Sequence, residues 1–150
     1  MKEVLLKDKN LYYIGGIVRD MVLGKDSFDI DITYVGNAIQ FAQTLEDIEI
    51  IKINEPFGTV KIKQNGQEID LASTRNETYP RAGHLPVVTE IGCSLKKDVL
   101  RRDFTINTLA KSLLTGEIID YLGGLKDIEA KTIRVLHDNS FIDDPTRIIR

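Results

Sequence analysis

The apolar run Leu11-Tyr12-Tyr13-Ile14 stops at Gly15-Gly16, after which Ile17, Val18, Met21 and Val22 recur at helical spacing as far as Gly24. This predicts a strand, a glycine turn and a helix. Residues 28–34, Phe-Asp-Ile-Asp-Ile-Thr-Tyr, alternate with period two and predict a second strand, with Phe28, Ile30 and Ile32 turned to the core. Asn37 followed by Gln40 resembles a helix cap, opening a helix to about Leu45. A strand follows over 48–53. Residues 59–63 and 68–72 then flank Gln64-Asn65-Gly66-Gln67, and the Asn-Gly pair is a strong hairpin signal. Residues 73–93, with Pro80, Gly83, Pro86 and Gly92, look irregular and are expected to be functional or partly ordered. Beyond them the pattern predicts a helix over about 96–111, two short strands near Leu113 and Ile118, a short helix after Gly123-Gly124 and a strand over 132–136. Asp144-Pro145 has the form of an N-cap followed by proline in the first turn, so a last helix is expected to run on past Arg150. The sum is a mixed α/β (α+β) fold, a sheet of about five strands flanked by helices. We expect a head domain over 1–142 and, over 143–150, the start of a truncated helix.

Composition changes this picture little. The chain has 150 residues, 42% hydrophobic and 29% charged, which suits one soluble core. A formal net charge of −3 gives no general basic surface, so any nucleic-acid contact has to come from a local cluster. The single cysteine, Cys93, excludes an internal disulfide, and the distant His84 and His137 have no zinc-ligand spacing. No apolar run approaches the roughly 18 residues of a membrane span, and a cytoplasmic protein is expected.

Four segments carry candidate chemistry. Asp29 and Asp31, two apart on a strand, present neighbouring carboxylates, an arrangement that is costly unless a cation such as Mg²⁺ offsets the repulsion. On its own such a pair fits a solvated strand face equally well. Asp70, alternating with Ile69 and Leu71, is a candidate third acid, and Glu68 on the same face competes with it. The Gly15-Gly16 turn lets backbone approach a phosphate at a helix start, and Arg19 lies three residues after Gly16, within reach of the same phosphate. The third segment, Arg101-Arg102-Asp103-Phe104-Thr105-Ile106-Asn107, offers bidentate phosphate donors, with Asn107 one turn after Asp103. In the fourth, Asp144, Arg147 and Arg150 recur every three residues. A solvated helix face is the plain alternative for the last two.

Taken together these segments resemble the tRNA nucleotidyltransferase and bacterial poly(A) polymerase family, in its class II branch within the DNA polymerase beta superfamily. Gly15-Gly16-Ile17-Val18-Arg19-Asp20 with Asp29-x-Asp31 is similar to the nucleotidyltransfer motif, the 101–107 segment to the second motif and Asp144-Pro145-Thr146-Arg147-Ile148-Ile149-Arg150 to the third. Residues 75–80 and Asp120-Tyr121-Leu122-Gly123-Gly124-Leu125-Lys126-Asp127 are also familiar, so the resemblance runs from about residue 11 to the end. Thr108 and Thr146 depart mildly from the family pattern. In this family a neck, body and tail follow the head and include an acid-and-arginine helix that chooses between CTP and ATP; that helix is not expected within these 150 residues.

The resemblance implies Asp29 and Asp31 as metal ligands, with Asp70 as the third catalytic acid. It places Gly15, Gly16 and Arg19 at the nucleotide, with Arg101, Arg102, Asp103, Asn107, Asp144, Arg147 and Arg150 at the nucleotide or primer end. It implies Mg²⁺ as cofactor, ATP and/or CTP as substrates and a tRNA or other RNA 3′ end as acceptor. The expected reaction is template-independent addition to the 3′ end of tRNA, of CCA, of A or of CC. A poly(A) polymerase is the alternative within the family, and a non-catalytic RNA- or nucleotide-binding module the alternative outside enzymes. Antibiotic nucleotidyltransferases usually carry Gly-Ser at the first turn, and Gly15-Gly16 points away from them.

Overall fold

A computed structural model describes residues 8–26, 29–78 and 87–136. Within them, strands β1 (Leu11–Ile14), β2 (Asp31–Tyr34), β3 (Glu49–Asn54), β4 (Thr59–Gln64), β5 (Gln67–Ser73), β8 (Ala110–Ser112) and β9 (Ile118–Ile119) form a mixed sheet. Its order is β3-β4-β5-β2-β1-β8-β9, so it has seven strands where the sequence suggested about five. β2 and β5 run parallel and the other neighbours antiparallel. The Asn65-Gly66 turn joins β4 to β5 with both residues at positive φ, 52° and 79°, as a two-residue hairpin of this hand requires.

Each face of the sheet is covered differently. On one, Leu11, Ile32, Ile62, Ile69 and Leu71 form the main core beneath helix α2 (Ala38–Thr44), which is capped by Asn37 accepting from the Gln40 amide at 3.1 Å. Tyr34 stacks on Phe41 there, with ring centroids 4.4 Å apart. On the other face, Ile14 and Ala110 of β1 and β8 pack against Leu95 and Val99 of helix α3 (Leu95–Val99). Helix α1 (Gly16–Val22) closes the end of the sheet through Ile17 and Val18 against Leu109. The second face is therefore covered over β1 and β8 and open over β2, β5, β4 and β3. A cavity of about 880 Å³ occupies that opening.

Several sequence expectations change. Residues 73–93 are partly ordered, the second of the two alternatives: β6 (Arg75–Thr78) and β7 (Val87–Ile91) pair in a small second sheet. The helix expected over 96–111 ends at Val99. Asp103 accepts from the Phe104 amide at 2.7 Å and from the Asn107 side chain at 2.9 Å, local bonds that compete with helix continuation. A single 3-10 turn, Thr105–Asn107, follows, and residues 110–112 pair with β1 instead. The strand expected over 132–136 is reduced to an isolated bridge between Phe104 and Val135. β2 begins at Asp31 and not at Phe28, which lies outside the described residues with the whole of 137–150, including the helix expected at Pro145. Helix α4 (Gly124–Glu129) follows Gly123-Gly124 as expected. Asp120 accepts from the Gly124 and Leu125 amides at 2.8 and 3.0 Å, and a side chain at Gly124 would run into the Thr105 carbonyl. Among the described residues no helix is long and apolar enough to cross a membrane.

Candidate active site

The floor of the cavity is set by strand register. Asp31 pairs with Asp70 across the parallel β2–β5 ladder, and Asp70 pairs with Lys61 on β4. Paired residues share a sheet face, so both carboxylates point into the cavity while Ile32 and Leu71 turn to the core. Glu68 pairs with Lys63, two residues away along each strand, and does not line the cavity. Of the two candidate acids, Asp70 is the one in register with Asp31. Asp29 stands apart from the expectation of a side-by-side pair. It is exposed, precedes the strand and lies outside the cavity lining, because the regular strand that would align it with Asp31 begins only at residue 31. Its charge still reaches Asp31.

Electrostatics describe an under-compensated floor. Burial pushes the Asp31 carboxyl above the usual aspartate range and the charge of Asp70 adds to it; Arg102 pulls the other way. Asp29 raises it further and Lys61 lowers it. Among the described residues Asp70 pairs with Lys61 alone, at a loose 3.8 Å. Among the described residues no three acids, histidines or cysteines close into a ready cage for a metal ion. The donor chemistry nevertheless fits Mg²⁺, which takes hard oxygens and is commonly held by one or two carboxylates with waters and substrate phosphates completing its shell.

The wall beside the floor is built by contrast mostly from partnered groups, although the buried Arg102 Nε has no hydrogen-bond partner among the described residues. Gly15, at φ 78° and ψ −135°, turns β1 into α1 in a conformation open mainly to glycine, and no side chain caps the helix. The Arg102 Nη1 lies 3.5 Å from where a Gly15 side chain would begin, and an Arg19 Nη2 lies 3.3 Å from the same point on Gly16. Arg19 Nη1 donates to Asn107 Oδ1 at 2.9 Å, and Asn107 donates in turn to Asp103, so the first and second sequence segments meet as one hydrogen-bonded chain. Asp103 is buried, holds this chain and also lines the cavity.

Sequence reasoning missed the acids behind the arginines. Asp98, fully buried, accepts from the Arg75 amide at 2.9 Å, from Arg101 Nε at 3.2 Å and from Arg102 Nη2 at 3.2 Å. Glu77 pairs with Arg75 at 2.8 Å and with Arg101 at 3.3 Å. Arg75 also donates to the Phe57 carbonyl and lies 5.2 Å over its ring. Three guanidiniums thus share two carboxylates. Burial lowers the pKa of Arg75 and of Arg102, with repulsion from Arg101 next, yet guanidiniums stay charged and the cluster keeps an excess of positive charge. The signal was available: Asp98 precedes Arg101 and Arg102 by three and four residues, the spacing of side chains that meet on a helix. Asp144, Arg147 and Arg150 lie outside the described residues.

A carboxylate floor, a glycine turn and a guanidinium wall around one opening suit polyphosphate chemistry at a cation. The model of the poly A polymerase head domain matches residues 11–134. The A-adding tRNA nucleotidyltransferase of Aquifex aeolicus (strain VF5) is 46% identical over 144 residues, 93% of this chain and 17% of the relative. A CCA-adding enzyme solved in its apo form II superposes with a TM-score of 0.79 at 40% identity, over 93% of this chain and 34% of that one. A tRNA nucleotidyltransferase solved with a primer tRNA and an incoming ATP analog gives 0.77 at 41% identity, over 93% and 39%. The chain therefore spans about a sixth to two fifths of the length of these proteins.

Proposed function

The chain belongs to the poly A polymerase head-domain family, and from that premise we propose that it is the catalytic head of a template-independent tRNA nucleotidyltransferase. The reaction joins the 3′-hydroxyl oxygen of the RNA to the α-phosphate of ATP or CTP, and the bond to the departing pyrophosphate breaks. The observation that carries this reading is the register of Asp31 with Asp70 beneath the Gly15-Gly16 turn. It places two under-compensated carboxylates beside donors that suit phosphate.

Roles follow from position. Gly15 and Gly16 let phosphate approach the backbone, and Arg19, held by Asn107, and Arg102, held by Asp98, turn fixed positive charge toward it. Because phosphoryl transfer asks mainly for positioning and charge stabilisation, groups already fixed by buried partners lose little freedom when substrate arrives. Asp31 and Asp70, with Asp29 near, would hold Mg²⁺, which when bound supplies Lewis-acid polarisation of phosphate and hydroxyl oxygens. Asp144, Arg147 and Arg150 complete the proposal on the nucleotide or primer side, and 143–150 would begin the element that follows the 1–142 head. The cytoplasm, where uncharged tRNA and nucleoside triphosphates are both present, is the proposed place of work.

Similarity to an A-adding relative at 46% identity favours addition of the terminal A over the whole CCA. The test supplies the native protein with tRNA lacking CCA and with tRNA ending in CC, giving labelled ATP, labelled CTP and then both. Incorporation of A onto tRNA ending in CC is expected. Incorporation of C alone or of C and A together would assign a different subtype, long runs of A on unrelated RNA would assign a poly(A) polymerase, and no incorporation would overturn the transferase reading.

A further inference from the structure

One feature of the cavity floor is left over once the nucleotide and the carboxylates are placed. The row that contains Asp31 and Asp70 does not end at Lys61, which pairs in turn with Lys52 on the edge strand. Four residues on four adjacent strands, Lys52, Lys61, Asp70 and Asp31, therefore form one line across the open face, and all of them line the cavity. The next row toward the closed end, Asn54, Thr59, Ala72 and Thr33, lines it too. Together the two rows line the floor of one groove, which Phe57 and Arg75 also line.

The position of Lys52 depends on a bulge. β3 and β4 pair Ile50 with Ile62 and then Lys52 with Lys61, so β3 carries one extra residue, Ile51. Without it Ile51 would stand opposite Lys61 and put an apolar side chain on the groove. With it, Lys52 and Asn54 face the cavity while Ile50 and Ile53 stay in register with the core residues Ile62 and Val60. A bulge beside a site commonly re-aims a side chain in this way.

We propose that Lys52 and Lys61 form a subsite for the sugar-phosphate backbone of the acceptor RNA strand, upstream of its reacting 3′ end. This rests on the transferase reading given above. The Gly15-Gly16 turn with Arg19 and Arg102 lies on the β1 side of the carboxylates, and the lysines lie on the β3 side. In-line displacement puts the attacking oxygen and the departing pyrophosphate on opposite sides of the reacting phosphorus. With the triphosphate held on the β1 side, the attacking strand enters from the β3 side. Two strand steps of ~4.8 Å separate Asp70 from Lys52, the length of about two to three nucleotides at a stacked rise of ~3.4 Å. Lysine suits the task, since it binds phosphate as a point charge and reads no sequence.

The test measures binding of tRNA lacking its 3′ end to the native protein, without nucleotide, over a series of salt concentrations. Lys52→Gln and Lys52→Glu are compared with Lys126→Gln, an equal charge change on α4 outside the cavity lining. Lys52 is exposed on an edge strand, so its substitution leaves the core intact. Lys52→Gln is expected to weaken RNA binding about fivefold and to reduce the logarithmic salt slope by about 0.7, with Lys52→Glu weakening it further and ATP or CTP binding unchanged. RNA affinity and slope equal to those of Lys126→Gln, or a loss confined to nucleotide binding, would overturn the subsite. Incorporation by the unsubstituted protein is followed in the same preparation. Its absence would refute the transferase reading, while the RNA-binding comparison would still decide the subsite.

Discussion

The wall and the floor of the cavity treat charge in opposite ways. On the wall, Asp98 is wholly buried and takes three donors, Glu77 takes two guanidiniums, and Arg19 is tied through Asn107 to Asp103. On the floor, burial and Asp70 raise the pKa of Asp31, and Lys61 stands 3.8 Å from Asp70, partly in solvent. The wall is largely paired before any ligand arrives, Arg102 Nε apart, whereas the floor acids Asp31 and Asp70 have no such partners. Substitutions on the wall should therefore cost stability first, and substitutions on the floor should cost function with stability unchanged or improved.

The largest stability effect is expected at Asp98. Asp98→Ala removes the shared partner of two guanidiniums and leaves buried charge without compensation, a loss of about 3–5 kcal/mol in the unfolding free energy read by denaturant titration. A loss below about 1 kcal/mol would show that the wall is not held by this acid. Gly15→Ala is next. A side chain at φ 78° and ψ −135° is strained by about 1–3 kcal/mol even though its nearest neighbour, Arg102, leaves ordinary contact distance. The same titration reads it.

The floor should answer with the opposite sign. Asp31 has a raised pKa in the fold, so the folded protein holds the proton more tightly than the unfolded chain and ionisation costs stability. The cost is present above the folded pKa and is relieved as pH falls through it. Asp31→Asn should therefore be more stable than the parent at pH 7, by less than about 1 kcal/mol because water screens a partly exposed site, and the advantage should vanish by about pH 3, below the ordinary aspartate value of ~3.9. Mg²⁺ sharpens the comparison. At ten times its dissociation constant it should stabilise the parent by about 1.4 kcal/mol and leave Asp31→Asn unmoved, as measured by thermal unfolding with and without a chelator. The smallest effect belongs to Thr33, whose buried hydroxyl has no hydrogen-bond partner among the described residues. Thr33→Val keeps its shape and should be neutral or stabilise by up to about 1 kcal/mol.

How much of this could be read from the sequence follows the range of the interactions. Local signals were legible: Gly15-Gly16 as the turn into α1, Asn37 as a cap, Asn65-Gly66 as the hairpin, and period two in Ile69-Asp70-Leu71 as an acid facing away from the core. Register was not legible, because nothing in the letters says that Asp31 rather than Asp29 stands opposite Asp70, or that β2 and β5 run parallel. The bulge at Ile51 was equally hidden inside the run Ile50-Ile51-Lys52-Ile53, and with it the aim of Lys52. The helix expected over 96–111 failed for a local reason. Val99, Leu109 and Ala110 fit a helical stripe, but the Asp103 side chain ties up its own backbone and residues 110–112 gain more by pairing with β1. Asp98 was passed over because a charged residue on a short helix looks solvated until the guanidiniums of Arg101 and Arg102 are seen to close over it.

The central claim is that the floor acids serve the reaction and not the fold. The measurement that tests it most directly is nucleotide incorporation onto tRNA by the native protein carrying Asp31→Asn, with its unfolding free energy measured alongside. The account predicts a loss of incorporation of about a thousandfold, roughly 4 kcal/mol of transition-state stabilisation, in a protein at least as stable as the parent. Near-normal incorporation by that variant, or a loss matched by unfolding, would contradict it.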